Sequence, residues 1–181
     1  TDMIIEPEVG TDISKCAEQI KIQGLRIRRL VENMNLSSKL DFGFGKFEMN
    51  KVPISKLLRK TLTEFINQIE DDHFQFDIEI DENLDNLELS VNENLMERVL
   101  VNLVYNSIVH NEDGCNIIVR LYKDKRSHIL LEVGDDGKGV SEEVLNKLND
   151  RNYANEPSTG SHGLGLKIVK KIAVLHRWKV H

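Results

Sequence analysis

The stretch Leu100-Val-Asn-Leu-Val-Tyr-Asn-Ser-Ile108 places two asparagines, Asn102 and Asn106, in an otherwise apolar segment. Because they are four residues apart, the two amides share one face of a helix. The opposite face, which we expect to point into a core, carries Leu100, Leu103, Val104 and Ile108. Burying an amide without a partner is costly, so this pattern predicts a helix whose amides are kept for a ligand. A structural hydrogen-bond network is the alternative interpretation.

Two glycine-containing segments follow this helix. Asp135-Asp-Gly-Lys-Gly139 comes after a predicted strand, and its glycines allow a sharp turn and a close approach of the backbone to a ligand. A carboxylate at the strand end can accept from an exocyclic amine, which would distinguish adenine from guanine. Gly163-Leu-Gly-Leu166 opens a helix, whose free N–H groups and dipole predict a phosphate seat. Taken singly, a capped turn or a common helix start explains each segment; together with the asparagines they indicate a nucleotide site.

The composition is that of an ordinary globular domain. The chain has 181 residues, of which 40% are hydrophobic and 30% are charged, enough for one substantial core. The net charge of −6 gives no electrostatic support to a nucleic-acid partner. No apolar stretch approaches ~20 residues, so we expect no membrane insertion of this chain. Cys16 and Cys115 lie far apart in sequence, which predicts two free thiols, and the histidines lack zinc-ligand spacing.

A long helix is predicted from a cap at Thr11 or Asp12 to about Leu40. Its apolar residues recur every seven positions, at Ile13, Ile20, Ile27 and Met34. A stripe of this kind usually contacts another helix in a bundle or a coiled coil. The alternative is a helix that lies on its own domain.

Beyond a joint at Asp41-Phe-Gly-Phe-Gly45, helices and strands mix without strict βαβ alternation. Strands are predicted at 46–52, 74–80, 87–91, 115–123 and 128–133. Helices are predicted at 54–68, 93–110, 141–148 and 164–176, with a polar loop at 149–162. This order favours an α+β fold with a mixed sheet. The polar loop before the phosphate seat is a candidate lid, with a plain surface loop as the alternative.

The three motifs together resemble the ATP-binding domain of sensor histidine kinases, in the superfamily that includes the DNA-gyrase, heat-shock and mismatch-repair ATPases. The resemblance covers about residues 46–178 and is carried by Arg98-Val-Leu-Val-Asn-Leu-Val-Tyr-Asn106, Asp135-Asp-Gly-Lys-Gly139 and Gly163-Leu-Gly-Leu-Lys-Ile-Val169. It implies a mixed sheet packed on helices, an α/β sandwich of the Bergerat type.

The long helix is similar to the second helix of the kinase dimerisation domain, through Arg29-Leu-Val-Glu-Asn-Met-Asn-Leu-Ser37. We therefore divide the chain into two parts. Residues 1–44 are expected to be an N-terminal loop and a partial dimerisation helix. Residues 45–181 are expected to be the ATP-binding catalytic domain, truncated at its C-terminus.

The resemblance implies ATP and Mg²⁺ as cofactors and assigns roles to the motif residues. Asn106 would ligate Mg²⁺, which suits a neutral amide because the triphosphate already supplies negative charge. Asp135 would hold the adenine amine, and His110 matches an aromatic position beside the nucleotide. Glycines would let the base, ribose and phosphates approach, at Gly137, Gly139, Gly163 and Gly165. Further nucleotide contacts are expected at Val140, Ser161, His162, Leu164 and Leu166.

Asn102 bears on the type of reaction. It falls where the hydrolytic relatives carry a glutamate that activates water, and an amide cannot accept a proton in that role. We therefore expect Asn102 and Asn106 to act catalytically in a protein histidine kinase, where Mg-ATP gives its phosphoryl group to an external histidine. A degenerate, non-catalytic domain that serves as a dimer scaffold is the alternative. An ATP hydrolase is disfavoured by Asn102.

A few residues depart from the family pattern. Val109 stands where many of these kinases have a lysine near the phosphates, and Arg151 or His162 of the polar loop is left to supply that charge. No phenylalanine box is recognisable before the lid. Arg177-Trp178 follows the last helix where the family usually has Gly-Gly, a helix-ending signal, so the end of this helix is left open.

The N-terminal part lacks the phosphoacceptor motif, since no histidine precedes His73. We therefore expect a fragment of a larger receptor kinase that binds ATP and cannot phosphorylate itself. The resemblance implies a response regulator as the partner of the parent protein, and a homodimer formed through its dimerisation helices. It also implies a cytoplasmic location for this segment, with the parent anchored in the cell membrane.

Overall fold

The computed structural model describes residues 9–42, 47–69, 73–140, 142, 145 and 163–180. A short 3-10 turn at Glu82–Leu84 separates the second and third strands. The helices and strands of the described residues, in chain order, are α1 (Val9–Asp41), β1 (Asn50–Pro53), α2 (Ile54–Ile66), β2 (Phe74–Ile80), β3 (Glu88–Val91), α3 (Glu93–His110), β4 (Cys115–Lys123), β5 (Ile129–Asp135) and α4 (Leu164–Leu175).

The predicted order of elements is confirmed in the described part of the chain. Helix α3 and strands β2 and β4 have the predicted bounds. Strand β1 begins later than predicted, at Asn50, and β5 continues past its predicted end to Asp135. Helix α1 begins at Val9, so Thr11 and Asp12 lie inside the helix and the prediction of a cap there is wrong.

Some predictions fall on the remaining residues. The predicted helix 141–148 is described only at residues 142 and 145, which are helical. The polar loop 149–162 and positions 43–45 of the joint lie outside the described residues. Across the helices that the structure does describe, none combines the length and the apolarity that a membrane crossing requires.

Five strands form two sheets in the described residues. Strand β4 is the centre of the larger sheet: it pairs in parallel with β2 and antiparallel with β5. The parallel pair begins with Phe74 opposite Cys115, and the antiparallel pair ends with Ile117 opposite Asp135. The smaller sheet is the antiparallel pair β1–β3. The larger sheet is therefore mixed, as predicted.

The main core lies between the larger sheet and helices α2 and α3. Its residues that are almost fully buried include Leu58, Leu62, Leu84, Leu100, Val104, Ile117, Val119 and Leu121. Each side chain of this size contributes roughly 1.5–3 kcal/mol when it leaves water. Leu100 and Val104 thus face the core as the sequence predicts, which turns the opposite face of α3 away from the sheet.

A second core joins α3 to α4. It contains Leu95, Val99, Leu164, Ile168, Val169 and Ile172, with Leu103 packed against it. Leu30, Leu36 and Leu40 of α1 pack at its margin. Helix α3 therefore contacts hydrophobic residues on two sides, and its position is fixed relative to both the sheet and α4.

The C-terminal half of α1 lies on the domain through polar contacts. Glu32 accepts two hydrogen bonds from Arg98 of α3, both at 3.0 Å. Lys171 of α4 donates to Asp41 at 2.6 Å. The seven-residue stripe points elsewhere: Ile13, Ile20, Ile27 and Met34 are 58–72% exposed. One face of the helix therefore lies on its own domain, whereas packing of the exposed stripe against another helix stays a prediction.

Helix α4 ends without glycine. Arg177 adopts a left-handed backbone conformation with φ 58°. Trp178 N–H then donates to the Ala173 carbonyl at 2.8 Å and Arg177 N–H donates to the Val174 carbonyl at 3.0 Å. This pair of hydrogen bonds is the Schellman motif, so Arg177 takes the position that glycine usually fills.

Candidate nucleotide-binding site

Helix α3 supplies the asparagines and is capped at its start. The Asn92 side chain accepts from the Leu95 N–H at 3.1 Å, which satisfies one of the free donors of the first turn. Asn106 is half-buried, and within the described residues no hydrogen bond holds its side chain. An amide in this state is open to a ligand, and its oxygen suits a hard cation.

Asn102 lies where three helices meet. Its Oδ1 accepts from Asn33 Nδ2 of α1 at 3.2 Å. A Cβ added at Gly165 of α4 would lie 3.4 Å from the same oxygen, an ordinary van der Waals distance, so Asn102 packs against the first turn of α4. Asn102 Nδ2 and Asn33 Oδ1 are buried and have no hydrogen-bond partner in the part of the chain that the structure describes.

Asp135, the last residue of β5, is held by hydrogen bonds on one oxygen. Its Oδ1 accepts from Asn111 Nδ2 at 3.1 Å and from the Gly137 N–H at 3.2 Å. Its neighbour Asp136 points to the other side, where its Oδ1 accepts from the Asn116 N–H of β4 at 2.7 Å. Among the described residues, Asp135 Oδ2 has no hydrogen-bond partner, so one carboxylate oxygen is available to a ligand.

The turn after Asp135 requires its glycines. A Cβ added at Gly137 would overlap the Asn111 amide, so a side chain cannot be accommodated there without displacing that residue. Gly139 has φ 72°, a conformation that L side chains rarely adopt, and none of the described residues has an atom within 4 Å of an added Cβ. The backbone of the turn is therefore open on its outer side, where a flat ligand could approach.

The carboxylates make this region electronegative. Burial raises the pKa of the Cys115 thiol, and the charges of Asp135 and Asp136 raise it further. An exocyclic amine, which donates hydrogen bonds, fits such a field, whereas a carbonyl oxygen would be repelled. The electrostatics therefore favour a ligand that presents a donor to Asp135.

The start of α4 has the features of an anion-binding site. Its N-cap is Gly163, which has φ 85° and no side chain of its own to cap the helix. Leu164 is 7% exposed and packs in the second core, so its backbone alone faces outward. The first-turn N–H groups and the positive end of the helix dipole point out of the helix at Gly163, which is where an anion would bind.

Helix α3 brings these parts together. Asn102 contacts the first turn of α4, and Asn111, directly after α3, contacts Asp135. Asn106 lies between them, about 6 Å along the helix axis from Asn102 and about 7–8 Å from Asn111. His110, the last residue of α3, is exposed, and so is Val140, which directly follows the glycine turn. Ser161 and His162 lie outside the described residues.

Residues 91–181 match the family model of the histidine kinase-, DNA gyrase B-, and HSP90-like ATPases. The chain belongs to this family. Its ATP-binding fold was expected from three motifs of the sequence, and all three lie within the matched residues.

Relatives of this ATPase domain include the sensor histidine kinase YvrG of Bacillus subtilis. The two are 32% identical over an alignment of 179 positions, which covers 91% of this chain and 30% of YvrG. This chain therefore spans less than a third of that relative's length.

Solved structures share the fold. Full-length ShkA in complex with AMPPNP has a TM-score of 0.64 at 16% identity, covering 95% of this chain and 35% of ShkA. The Acinetobacter baumannii histidine kinase AdeS has a TM-score of 0.62 at 18% identity, covering 94% of this chain and 75% of AdeS. The predicted α+β fold, a mixed sheet packed on helices as in histidine kinase catalytic domains, is confirmed.

Two residues of this region were not singled out from the sequence. Asn111 bonds to Asp135 and Asn33 bonds to Asn102, over sequence separations of 24 and 69 residues. The signal for Asn111 is local: it follows the asparagine helix directly and begins the turn to Gly114, whose N–H donates to its carbonyl at 2.9 Å. The sequence offers no comparable signal for Asn33.

Proposed function

We propose that this chain is the catalytic ATP-binding part of a two-component sensor histidine kinase, and that it presents Mg-ATP for phosphoryl transfer to a histidine. One observation carries the proposal: Asn106, whose side chain has no hydrogen-bond partner among the described residues, lies on α3 between Asn102, which contacts the first turn of α4, and Asn111, which bonds to the Asp135 carboxylate. Those groups match the metal, the base and the phosphates of one nucleotide. The acceptor histidine would come from another segment, since no histidine precedes His73.

Each group has one task in this proposal. Asp135 Oδ2 accepts from the exocyclic amine of adenine, while Gly137 and Gly139 allow the base and ribose to approach. The N-terminal turn of α4 orients the phosphates. Asn106 contributes one oxygen to Mg²⁺, whose remaining ligands are phosphate and water. The ion neutralises charge on the phosphates, which is the main requirement of phosphoryl transfer.

The residues present fit a weakly held Mg²⁺ rather than a permanent metal centre. No group of three or more histidine, cysteine or carboxylate side chains is placed to hold a metal ion within the described residues. A neutral amide beside a triphosphate is the donor set expected of an ion that arrives with its nucleotide. Magnesium should therefore bind only together with ATP or ADP.

The chemistry of Asn102 favours phosphoryl transfer over hydrolysis of ATP. Its Oδ1 accepts from Asn33 and its other polar atom is a donor, so it offers no base to a water molecule. The position next to α4 allows it to support the phosphate-binding turn through Gly165. We accordingly propose that Asn102 organises the site and that slow hydrolysis is a side reaction.

The place of this chain in a longer kinase, and the partners of that kinase, are also proposals. We infer that residues 1–44 belong to the dimerisation helix of a longer kinase and residues 45–181 to its ATP-binding domain. The exposed stripe of α1 would meet the same stripe of a second copy. The parent would act on a response regulator and be anchored in the cell membrane, with this domain on the cytoplasmic side.

Calorimetry with ADP and Mg²⁺ tests the nucleotide site. Wild type should bind, and Asn106→Ala and Asp135→Ala should each weaken binding by about 10–100-fold, the effect of losing a hydrogen bond to a charged group or a metal ligand. Asn94→Ala, an exposed position on the first turn of the same helix, should bind as wild type does. Unchanged affinity in both site variants would overturn the proposal.

A phosphorylation assay tests whether the acceptor histidine is supplied by a segment other than this chain. Incubation of this chain alone with Mg-ATP should leave no stable phosphohistidine. A segment that carries an acceptor histidine should become phosphorylated when it is added in trans or fused ahead of α1. Phosphohistidine on the chain itself would show that one of its own histidines is the acceptor.

A further inference from the structure

The Asn111 side chain joins three parts of the site. It is 4% exposed and follows α3 directly. Its Nδ2 donates to the Ser107 carbonyl at 2.8 Å and to Asp135 Oδ1 at 3.1 Å, and its Oδ1 accepts from the Lys138 N–H at 2.9 Å. The end of α3, the end of β5 and the glycine turn are thus connected through one amide.

The orientation of this amide is fixed by its partners. Two acceptors, the Ser107 carbonyl and the Asp135 carboxylate, face its NH₂ group, and one donor, the Lys138 N–H, faces its oxygen. Rotating the amide by 180° would oppose like groups at all three contacts. No other uncharged side chain of this size supplies two donors and an acceptor in this geometry, so Asn111 cannot be replaced without loss of at least one bond.

Asp135 is oriented as a result. Both of its hydrogen bonds from described residues end on Oδ1, and that oxygen is therefore held toward Asn111 and Gly137. Oδ2 is left as the oxygen that faces a ligand. Without the Asn111 bond the carboxylate keeps only the Gly137 N–H and gains rotational freedom, because it is an exposed side chain at the end of an edge strand.

We propose that Asn111 is the positioning residue for base selection: by fixing Asp135 it makes the site prefer adenine over guanine. Adenine offers an amine at the position where guanine offers a carbonyl oxygen. A fixed carboxylate binds the amine and repels the carbonyl, whereas a rotating carboxylate can turn away from the carbonyl. This inference rests on the proposed nucleotide site and adds the residue that sets its selectivity.

The test compares the affinities of ADP and GDP, each with Mg²⁺, for wild type, Asn111→Ser and Asn111→Asp. Serine removes the donor to Asp135 without adding charge; aspartate keeps the size and places a second carboxylate beside it. We expect ADP affinity to fall by about tenfold or more in both variants, while GDP affinity changes little, so the preference for ADP shrinks by a similar factor. Thermal unfolding without nucleotide shows whether each variant is folded.

A purely structural role predicts a different result. A less stable fold lowers the binding-competent fraction, which reduces ADP and GDP affinity by the same factor and leaves their ratio unchanged. An unchanged ratio in a folded variant overturns the inference. In the Asp135→Ala background, replacing Asn111 should have no further effect on the ratio, because the two residues act as one unit. If the Asn111 and Asp135 replacements each change the ratio of ADP to GDP affinity independently, the inference is contradicted as well.

The two proposals fail differently. If wild type binds neither nucleotide, or if Asp135→Ala leaves the ratio of ADP to GDP affinity unchanged, the proposed nucleotide site itself is wrong and the inference falls with it. If Asp135→Ala removes the preference and the folded Asn111 variants retain it, the nucleotide site stands and the role of Asn111 is refuted.

Discussion

At the scale of single residues, Arg177 stands out because it ends α4 in a conformation that favours glycine. Its φ of 58° brings the Cβ close to the following carbonyl, which costs roughly 1–2 kcal/mol for an L residue other than glycine. The surrounding contacts compensate: Trp178 donates to the Ala173 carbonyl and stacks on His176 with ring centroids 4.3 Å apart. His176 in turn accepts the Asn92 N–H at the start of α3.

Arg177→Gly should therefore stabilise the domain. Relief of the left-handed strain, less the added flexibility of the unfolded chain, predicts a gain of about 0.5–1 kcal/mol and a rise in Tm of about 2–3 °C. Calorimetric or circular-dichroism melting measures it. Arg177→Ala is the control, since it removes the charge and keeps the Cβ, and should not stabilise. Equal stabilisation by both would show that charge, not backbone strain, is responsible.

How well the sequence predicted the site differs from residue to residue. The local settings of Asn106, Asp135 and Gly163, which are a helix face, a strand end and a helix start, followed from short motifs, because each motif fixes a local turn or helix face. Their roles in binding stay predictions. Asn111 and Asn33 were not predicted, since each acts through a partner far away in the sequence. Contacts of that kind depend on how whole elements pack.

At the scale of elements, the attachment of α1 to α3 depends on charge. Burial by itself would raise the pKa of Glu32, but hydrogen bonds from Arg28 and Arg98 and their positive charges outweigh it, and the pKa lies below its ordinary value. One turn earlier, the Arg29 guanidinium lies 4.0 Å from the Tyr105 ring centroid and 5.1 Å from that of Phe65. Polar and charged groups therefore attach this part of α1 together with the leucines that pack against the second core.

Acid should weaken this attachment. Because the folded-state pKa of Glu32 is lowered, its stabilisation is fully present above the unfolded value of about 4.3 and is lost as the pH falls through the folded value. The difference in unfolding free energy between wild type and Glu32→Gln should thus be largest above about pH 5 and vanish in stronger acid. Denaturant titrations across this pH range measure it. A difference that is independent of pH would exclude the ion pair as the cause.

Element bounds were predicted best where the local pattern is strong. β2 alternates Phe74, Phe76, Ile78 and Ile80, and its predicted bounds are correct. The end of β5 was predicted too early because it depends on pairing: Asp135 lies opposite Ile117, and Asp136 is bonded to Asn116. A strand that is extended by its neighbour gives no sign of this in its own residues.

At the scale of the whole molecule, the exposed face of α1 predicts self-association. Four large apolar side chains at seven-residue spacing are more than half exposed, which is the arrangement of a helix that packs against another helix. Sedimentation should show a concentration-dependent dimer. Ile20→Asp should weaken it by at least about tenfold, since burying one isoleucine contributes roughly 1.5–3 kcal/mol.

Asn35→Asp is the matched control for this experiment, because it adds the same charge at an exposed position of α1 outside the stripe. It should leave the dimer intact. Equal weakening by Asn35→Asp and Ile20→Asp would point to a general charge effect and not to a packed helix pair. A strictly monomeric wild type would contradict the prediction directly.

The overall arrangement was only partly predictable. The mixed sheet and the order of elements followed from periodicity and glycine positions, which are local properties. The position of α1 on the domain did not, because it depends on contacts between residues far apart in sequence, such as Asp41 with Lys171, which are 130 residues apart. Many surface residues could form such pairs, and the sequence does not indicate which ones do.

The two thiols differ in a way that has a practical consequence. Cys16 is exposed on α1, whereas Cys115 is half-buried with a raised pKa. Since the thiolate is the reactive form, a maleimide dye or a nitroxide reagent at neutral pH should label Cys16 on α1 and leave Cys115 on β4 unlabelled. The natural sequence thus carries one addressable probe position, from which the spacing between two associated molecules can be measured by electron spin resonance without introducing or removing a cysteine.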